Sequence, residues 1–149
     1  MKYEMRRTEP LVDTPAAQLD LVVPFTTPAL TRAAVEAAST FGTELHASIR
    51  LVKLQMVPFH VESSPVDQKF IENQLSGIET RLPIRRFAVF TRDCEGDLLA
   101  MLGPDSVVVL ATRRRFWTTS TEALAAKLRR KGHKVILVEL NGKKEFVYA

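Results

Sequence analysis

The stretch LDLVVPFTTPALTRAAVEAASTFG, residues 19–42, decides the architecture. Leu19 to Phe25 is a short apolar run, the pattern of a strand buried on both faces. Thr26 and Thr27 follow, and a threonine hydroxyl there can cap the free N–H groups that open a helix. Pro28 then stands in the first turn, where a missing N–H costs nothing. Leu30, Ala34, Ala37 and Phe41 recur at helical spacing, and Gly42 stands where a left-handed stop is expected. A buried strand thus feeds an amphipathic helix through a very short turn.

The same alternation continues downstream. Glu44 to Val57 contains a second strand, with Leu45, Ala47, Ile49 and Leu51 alternating. Ser64-Pro65 repeats the cap-then-proline start, Ile71, Leu75, Ile78 and Leu82 form one apolar helical face, and Pro83 is expected to end that helix. Ile84 to Phe90 reads as a third strand, with Arg85-Arg86 facing solvent or blunting an edge. Asp93 to Leu102 reads as a short helix with acids in its first turn. Ser106 to Ala111 is uniformly apolar and suits a central fourth strand. Thr119-x-x-Glu122 is a capping-box pattern opening a helix that Gly132 closes, and Lys134 to Leu140 is a fifth strand.

The order β-α-β-α-β-α-β-α-β predicts an open, mostly parallel five-stranded sheet with helices on both faces. Ligands of such sheets bind beyond the carboxyl ends of the strands, where the winding direction reverses. With the first and fourth strands as neighbours, that crevice falls between the Pro24–Pro28 turn and the Thr112–Ser120 loop. The expected organisation is a flexible leader over 1–18, one domain over 19–140 and a tail over 141–149.

A length of 149 residues suits one domain able to bury a core without disulfides or metal. The 21 Lys and Arg against 17 Asp and Glu leave a charge of +4, without the dense basic stripe and interleaved aromatics of a nucleic-acid binder. Cys94 is the single cysteine, so no internal disulfide can form and a reducing cytoplasm fits. The charged N-terminus has no secretory apolar region, and no apolar run is long enough to span a bilayer.

The run VVPFTTPALTRAAVEAASTFGTELHASIRLV, residues 22–52, resembles the opening of universal stress proteins. There a "VPVDGS" strand-end leads into an alanine-rich helix, a glycine stop and a strand beginning "ELHLLHV". DSVVVLATRR, residues 105–114, is similar to the family's "ADLIVMGSHGR", and AKLRRKGHKVILVEL, residues 126–140, to "ERVLRHAPCPVLVV". The resemblance covers residues 18–140 in order and spacing. It implies a flavodoxin-like sheet of strand order 3-2-1-4-5 and a role in stress response. It also implies homodimers paired through the last strand, here placing Val135, Ile136, Leu137 and Val138 in the interface.

ATP-binding members of that family carry an aspartate at the end of the first strand, a position that falls on Thr26 here. They also carry G-x-x-G, nine residues, then G-[S/T] after the fourth strand, where glycine backbone cradles phosphates. The matching run here is Ala111-Thr112-Arg113-Arg114, and no glycine follows until Gly132. Arg114 places a side chain where the family leaves room for phosphates. The resemblance therefore implies no cofactor, and neither ATP nor AMP held in the family's manner.

Arg113-Arg114-Arg115, followed by Phe116-Trp117, is the sharpest local feature. Ahead of a helix N-terminus it can clamp a phosphate or carboxylate, although charge runs are ordinarily solvated surface. With Thr26, Thr27, Thr119 and Ser120 it makes up the candidate ligand site. Arg129-Arg130-Lys131 is explained by compensation of a helix C-terminus. His46, His60 and His133 stand far apart without carboxylate or cysteine at ligand spacing, so no metal site or triad is expected. Cys94 reads as a small buried thiol, and Asp93, Glu95 and Asp97 as first-turn acids.

No nucleophile, oriented base and oxyanion site occur together, so the expectation is a non-enzyme. The first reading is a regulatory or adaptor module acting through dimerisation or an unidentified protein partner. One alternative is a nucleotide or small-anion sensor using the arginine loop. Another is a cytoplasmic accessory domain of a membrane transporter.

Overall fold

The computed structural model describes residues 3–4, 19–57, 65–113, 119–140 and 144–148, with backbone only for 3–4, 65–67 and 144–148. Strands β1 (Tyr3–Glu4), β2 (Asp20–Pro24), β3 (Ser48–Met56), β4 (Ile84–Thr91), β5 (Ser106–Thr112), β6 (Lys134–Leu140) and β7 (Lys144–Tyr148) form one sheet. Helices α1 (Pro28–Gly42), α2 (Pro65–Ser76), α3 (Cys94–Met101) and α4 (Ser120–Arg130) connect the strands from β2 to β6. The sheet order is β1-β4-β3-β2-β5-β6-β7. Its central five strands, β4 to β6 across the sheet, are all parallel. Counted along the domain they run 3-2-1-4-5, the flavodoxin-like order expected from the sequence. Antiparallel β1 and β7 extend the two edges, and they come from the segments read as leader and tail. Among the described residues no helix is long and apolar enough to cross a membrane.

Right-handed crossovers place α1 and α2 on one face and α3 and α4 on the other. Along β2 the side chains alternate accordingly. Leu21 and Val23 join the core beneath α1 and α2, while Val22 joins the core beneath α3 and α4. Both faces are covered, which is why the central strands read as continuous apolar runs. Ala34, Ala37 and Ala38 of α1 are fully buried against the sheet.

Gly42 serves a different purpose from the one its position suggests. A Cβ there would lie 2.9 Å from Leu82 Cδ1, 3.0 Å from Ala47 Cβ and 3.1 Å from Leu21 Cδ1, so close packing demands glycine. The left-handed residue of that turn is instead His46, at φ 51°. Gly132, at φ 89°, does take the expected left-handed stop after α4.

Helix α2 ends at Ser76, earlier than Pro83. Ile78 and Leu82 keep the apolar spacing yet are buried from the turn that follows the helix. Arg86 explains this end. Rather than facing solvent, it donates from Nε to the Leu75 carbonyl (3.0 Å) in the last turn of the helix and from Nη2 to that of Ile78 (2.8 Å) in the turn beyond it.

At the amino ends of the strands, Asp20, Arg50 and Ser106 tie β2, β3 and β5 together. Arg50 makes a two-pronged pair with Asp20, Nε to Oδ1 at 2.9 Å and Nη2 to Oδ2 at 2.6 Å. Its Nη2 also donates to the Met101 carbonyl at 2.6 Å, and Ser106 Oγ donates to Asp20 Oδ2 at 2.6 Å. Burial pushes the Asp20 carboxyl up. The hydrogen bonds from Arg50 and Ser106, with the charges of Arg50 and Arg85, outweigh it and hold the group below 3.8. A carboxyl depressed on folding stabilises fully above its unfolded value and loses that contribution as pH falls through the folded one. Asp20→Asn should therefore cost about 2–3 kcal/mol at pH 7, because it strands a half-buried guanidinium. Urea unfolding should show this gap closing as the pH drops below 3.8; a gap independent of pH would contradict the pairing.

Candidate functional site: a crevice where the winding reverses

Strand β2 pairs with β3 on one side and β5 on the other, so the chain winds outward from it in both directions. Helix α1 leaves β2 on one face and α4 leaves β5 on the other. Both helices therefore begin at the same carboxyl edge of the sheet. This is the topological switch point of the fold.

Each helix start is fixed by a threonine. Thr27 is the N-cap of α1, with extended backbone (φ −121°, ψ 159°), and its Oγ1 accepts from the Leu30 N–H at 3.2 Å. Thr31, almost fully buried, accepts from the Thr26 N–H at 3.0 Å and fastens the turn to the helix. Thr119 caps α4, accepting from the Glu122 N–H at 3.2 Å. The Thr119 and Thr112 hydroxyls are 2.8 Å apart and join the end of β5 to the start of α4.

Between these starts lies an open cavity of about 850 Å³. Thr26 to Leu30 and Arg32 line it from one side; Thr112, Arg113, Thr119 to Thr121 and Leu124 line it from the other. The fold thus brings together five expected residues: Thr26, Thr27, Arg113, Thr119 and Ser120. Arg114 and Arg115 lie outside the described residues, as do Phe116 and Trp117. Thr121, from the same run of hydroxyls as Thr119 and Ser120, also lines it, and Arg32 is an addition that the sequence reading missed. Arg32 stands four residues after Pro28, one helical turn along the same face, and that spacing is the signal that would have found it.

The described walls carry two guanidinium groups and no carboxylate, imidazole or thiol. Neither Arg32 nor Arg113 is in an ion pair among the described residues. The positive ends of two helix dipoles add to this field, and first-turn N–H groups supply donors for an anion. No glycine lines the described part of the crevice, so backbone cradling of a polyphosphate has no counterpart there. Thr121 is only 7% exposed and lines the cavity.

The remaining candidates fall elsewhere. Cys94 opens α3, half-buried. Burial, with Asp93 and Asp97 beside it, pushes its thiol up despite the nearby helix start. Asp93 caps α3 through the Gly96 N–H at 3.0 Å, and Asp97 accepts from the Thr91 hydroxyl. No group of residues suited to a metal occurs among the described residues, and His60 lies outside them. Lys127, Arg129 and Arg130 occupy the last turn of α4, where cations oppose the helix dipole. On β6, Val135 and Val138 are buried and Ile136 and Leu137 half-buried, and β7 hydrogen-bonds to its outer edge. The fold and crevice define an α/β protein of flavodoxin-like topology with an electropositive strand-end cavity. Neither the protein-family models nor the curated proteins compared with the chain match its sequence.

Thr119→Ala removes a cap and leaves the buried Thr112 hydroxyl with only its long bond to the Arg113 carbonyl, at 3.5 Å. It should lower stability by about 1–2 kcal/mol, read as a fall in the thermal midpoint, with Thr119→Ser recovering most of it. An alanine variant as stable as the parent would contradict the role given to this hydroxyl.

Proposed function

We propose that this chain is a non-catalytic regulatory module of the universal stress protein type, whose strand-end crevice senses a small anion. The observation that carries the reading is the convergence of two helix N-termini with Arg32 and Arg113 on a cavity whose described walls hold no carboxylate. An anion there exchanges its hydration shell for charge-assisted hydrogen bonds and two dipoles. The described walls hold serine and threonine hydroxyls but no carboxylate, imidazole or thiol to activate them, which supports binding over turnover. With Thr26 in place of a carboxylate and no glycine in these walls, the ligand is not ATP held in the family's usual manner.

The sequence reading gave first place to dimerisation or a protein partner; the crevice shifts the weight to the sensor. A second copy adding to the sheet beside β6 would meet β7, because β6 already bonds to it.

Thermal unfolding of nucleotide-stripped protein tests the proposal. Millimolar phosphate should raise the midpoint, and ATP should raise it no further. At a hundredfold excess over Kd the gain is about 2.7 kcal/mol, or about 5–10 °C for a chain of this size. Arg32→Ala with Arg113→Ala should abolish the shift while leaving the unliganded midpoint nearly unchanged. No shift with phosphate, AMP or ATP would overturn the anion reading and return attention to protein partners.

A further inference from the structure

Arg85 and Arg86 lie on the strand that borders β1, and their side chains leave it on opposite faces. Arg86 is folded back onto the carbonyls of Leu75 and Ile78. Arg85, half-buried on the face of Phe87, makes no hydrogen bond or ion pair among the described residues. Strand β1 pairs with β4 only at Val89 and Phe90, so Ile84 to Ala88 border no described strand on that side.

The ladder with β3 fixes which main-chain groups face outward. The Ile49 N–H donates to the Pro83 carbonyl and the Val57 N–H to that of Thr91, both at 2.8 Å. Between these ends Arg85, Phe87 and Val89 turn their N–H and C=O groups toward β3. Ile84, Arg86 and Ala88 therefore turn theirs off the sheet, in the same phase as Phe90, which is paired with Tyr3. Among the described residues these outward groups have no hydrogen-bond partner. Such an edge is a template for an added strand, and sheets ordinarily guard it with charge. The guard is weak here, because the Arg86 guanidinium is held against α2 and the turn after it.

We propose that β4 between Ile84 and Ala88 receives an extended acidic segment of a partner protein as an antiparallel strand, continuing the edge that β1 occupies. The register specifies the partner's chemistry. Its residues opposite Ala88, Arg86 and Ile84 exchange main-chain bonds with β4. The residue opposite Phe87 meets a partly buried ring and is apolar. Two positions on, the residue opposite Arg85 meets an unpaired guanidinium and is acidic. A second copy of β4 fits worse, because it would bring the arginines of both copies to one seam. This edge is two strands away from β2 and at the opposite end of the strands from the crevice, so it stands or falls apart from the anion reading.

Amide chemical-shift and hydrogen-exchange mapping of the full labelled chain with the capped peptide Thr-Val-Thr-Glu-Val tests the proposal. The amides of Arg86 and Ala88 should gain protection, while those of Arg85 and Phe87, already bonded to β3, should not change. Lysine in place of the peptide's glutamate should weaken binding about fivefold, and Arg85→Gln should erase that difference. N-methylation of the third peptide residue, opposite Arg86, should abolish binding; N-methylation of the second, whose N–H points away from β4, should not. Equal binding of the glutamate and lysine peptides to the parent would overturn the acidic assignment. Shifts confined to β7, indifference to the site of methylation, or no binding would overturn strand addition. Dimers that the peptide cannot dissolve, with Arg86 and Ala88 already protected, would give the edge to a second copy and overturn the proposal.

Discussion

The handedness of the crossovers on either side of β2 governs the rest of the molecule. A right-handed connection from β2 to β3 must carry α1 over one face, and one from β5 to β6 must carry α4 over the other. Because β2 and β5 are neighbours, the two helices have to start side by side at the carboxyl edge. The crevice is therefore a consequence of topology before any side chain is chosen. What this sequence adds is its chemistry: threonines to fasten the starts, arginines to charge the walls, and no glycine in the described part of them.

The opposite edge of the sheet is closed by polar chemistry. Asp20, Arg50 and Ser106 draw three strands and the end of α3 into one hydrogen-bonded group. Such a pair gains little over an apolar cluster, because desolvation opposes the attraction, but breaking it is costly. Its use here is to set register. Asp20 pairs laterally with Ser48 in β3 and with Ser106 in β5, so a slip of β3 would separate it from Arg50 and a slip of β5 from the Ser106 hydroxyl. Structure is held at one end of the strands and left open for binding at the other.

Features written locally were legible in the sequence. The apolar runs at Leu19–Phe25, Ser106–Ala111 and Lys134–Leu140 became β2, β5 and β6, and the caps at Thr27 and Thr119 fell where predicted. Features that depend on distant partners were not. Asp20 and Ser106 are 86 residues apart, and no local pattern announces their bond. Ile78 and Leu82 kept helical spacing while lying beyond the helix, because an apolar period reports burial and not hydrogen bonding. Arg86 looked like a solvent-facing charge, yet its reach to Leu75 and Ile78 is set by tertiary packing. For the same reason the crevice was located from strand order, whereas Arg32, on an unremarkable polar helix face, was recognised only once the helix was docked.

Amide chemical-shift mapping of the isotope-labelled chain during a phosphate titration tests the central claim most directly. The first-turn amides of both helices, Ala29 in α1 and Ser120 and Thr121 in α4, should shift together and saturate with one common affinity. Largest shifts at Arg129, Arg130 and Lys131, or none at either helix start, would mean that the crevice is not the anion site.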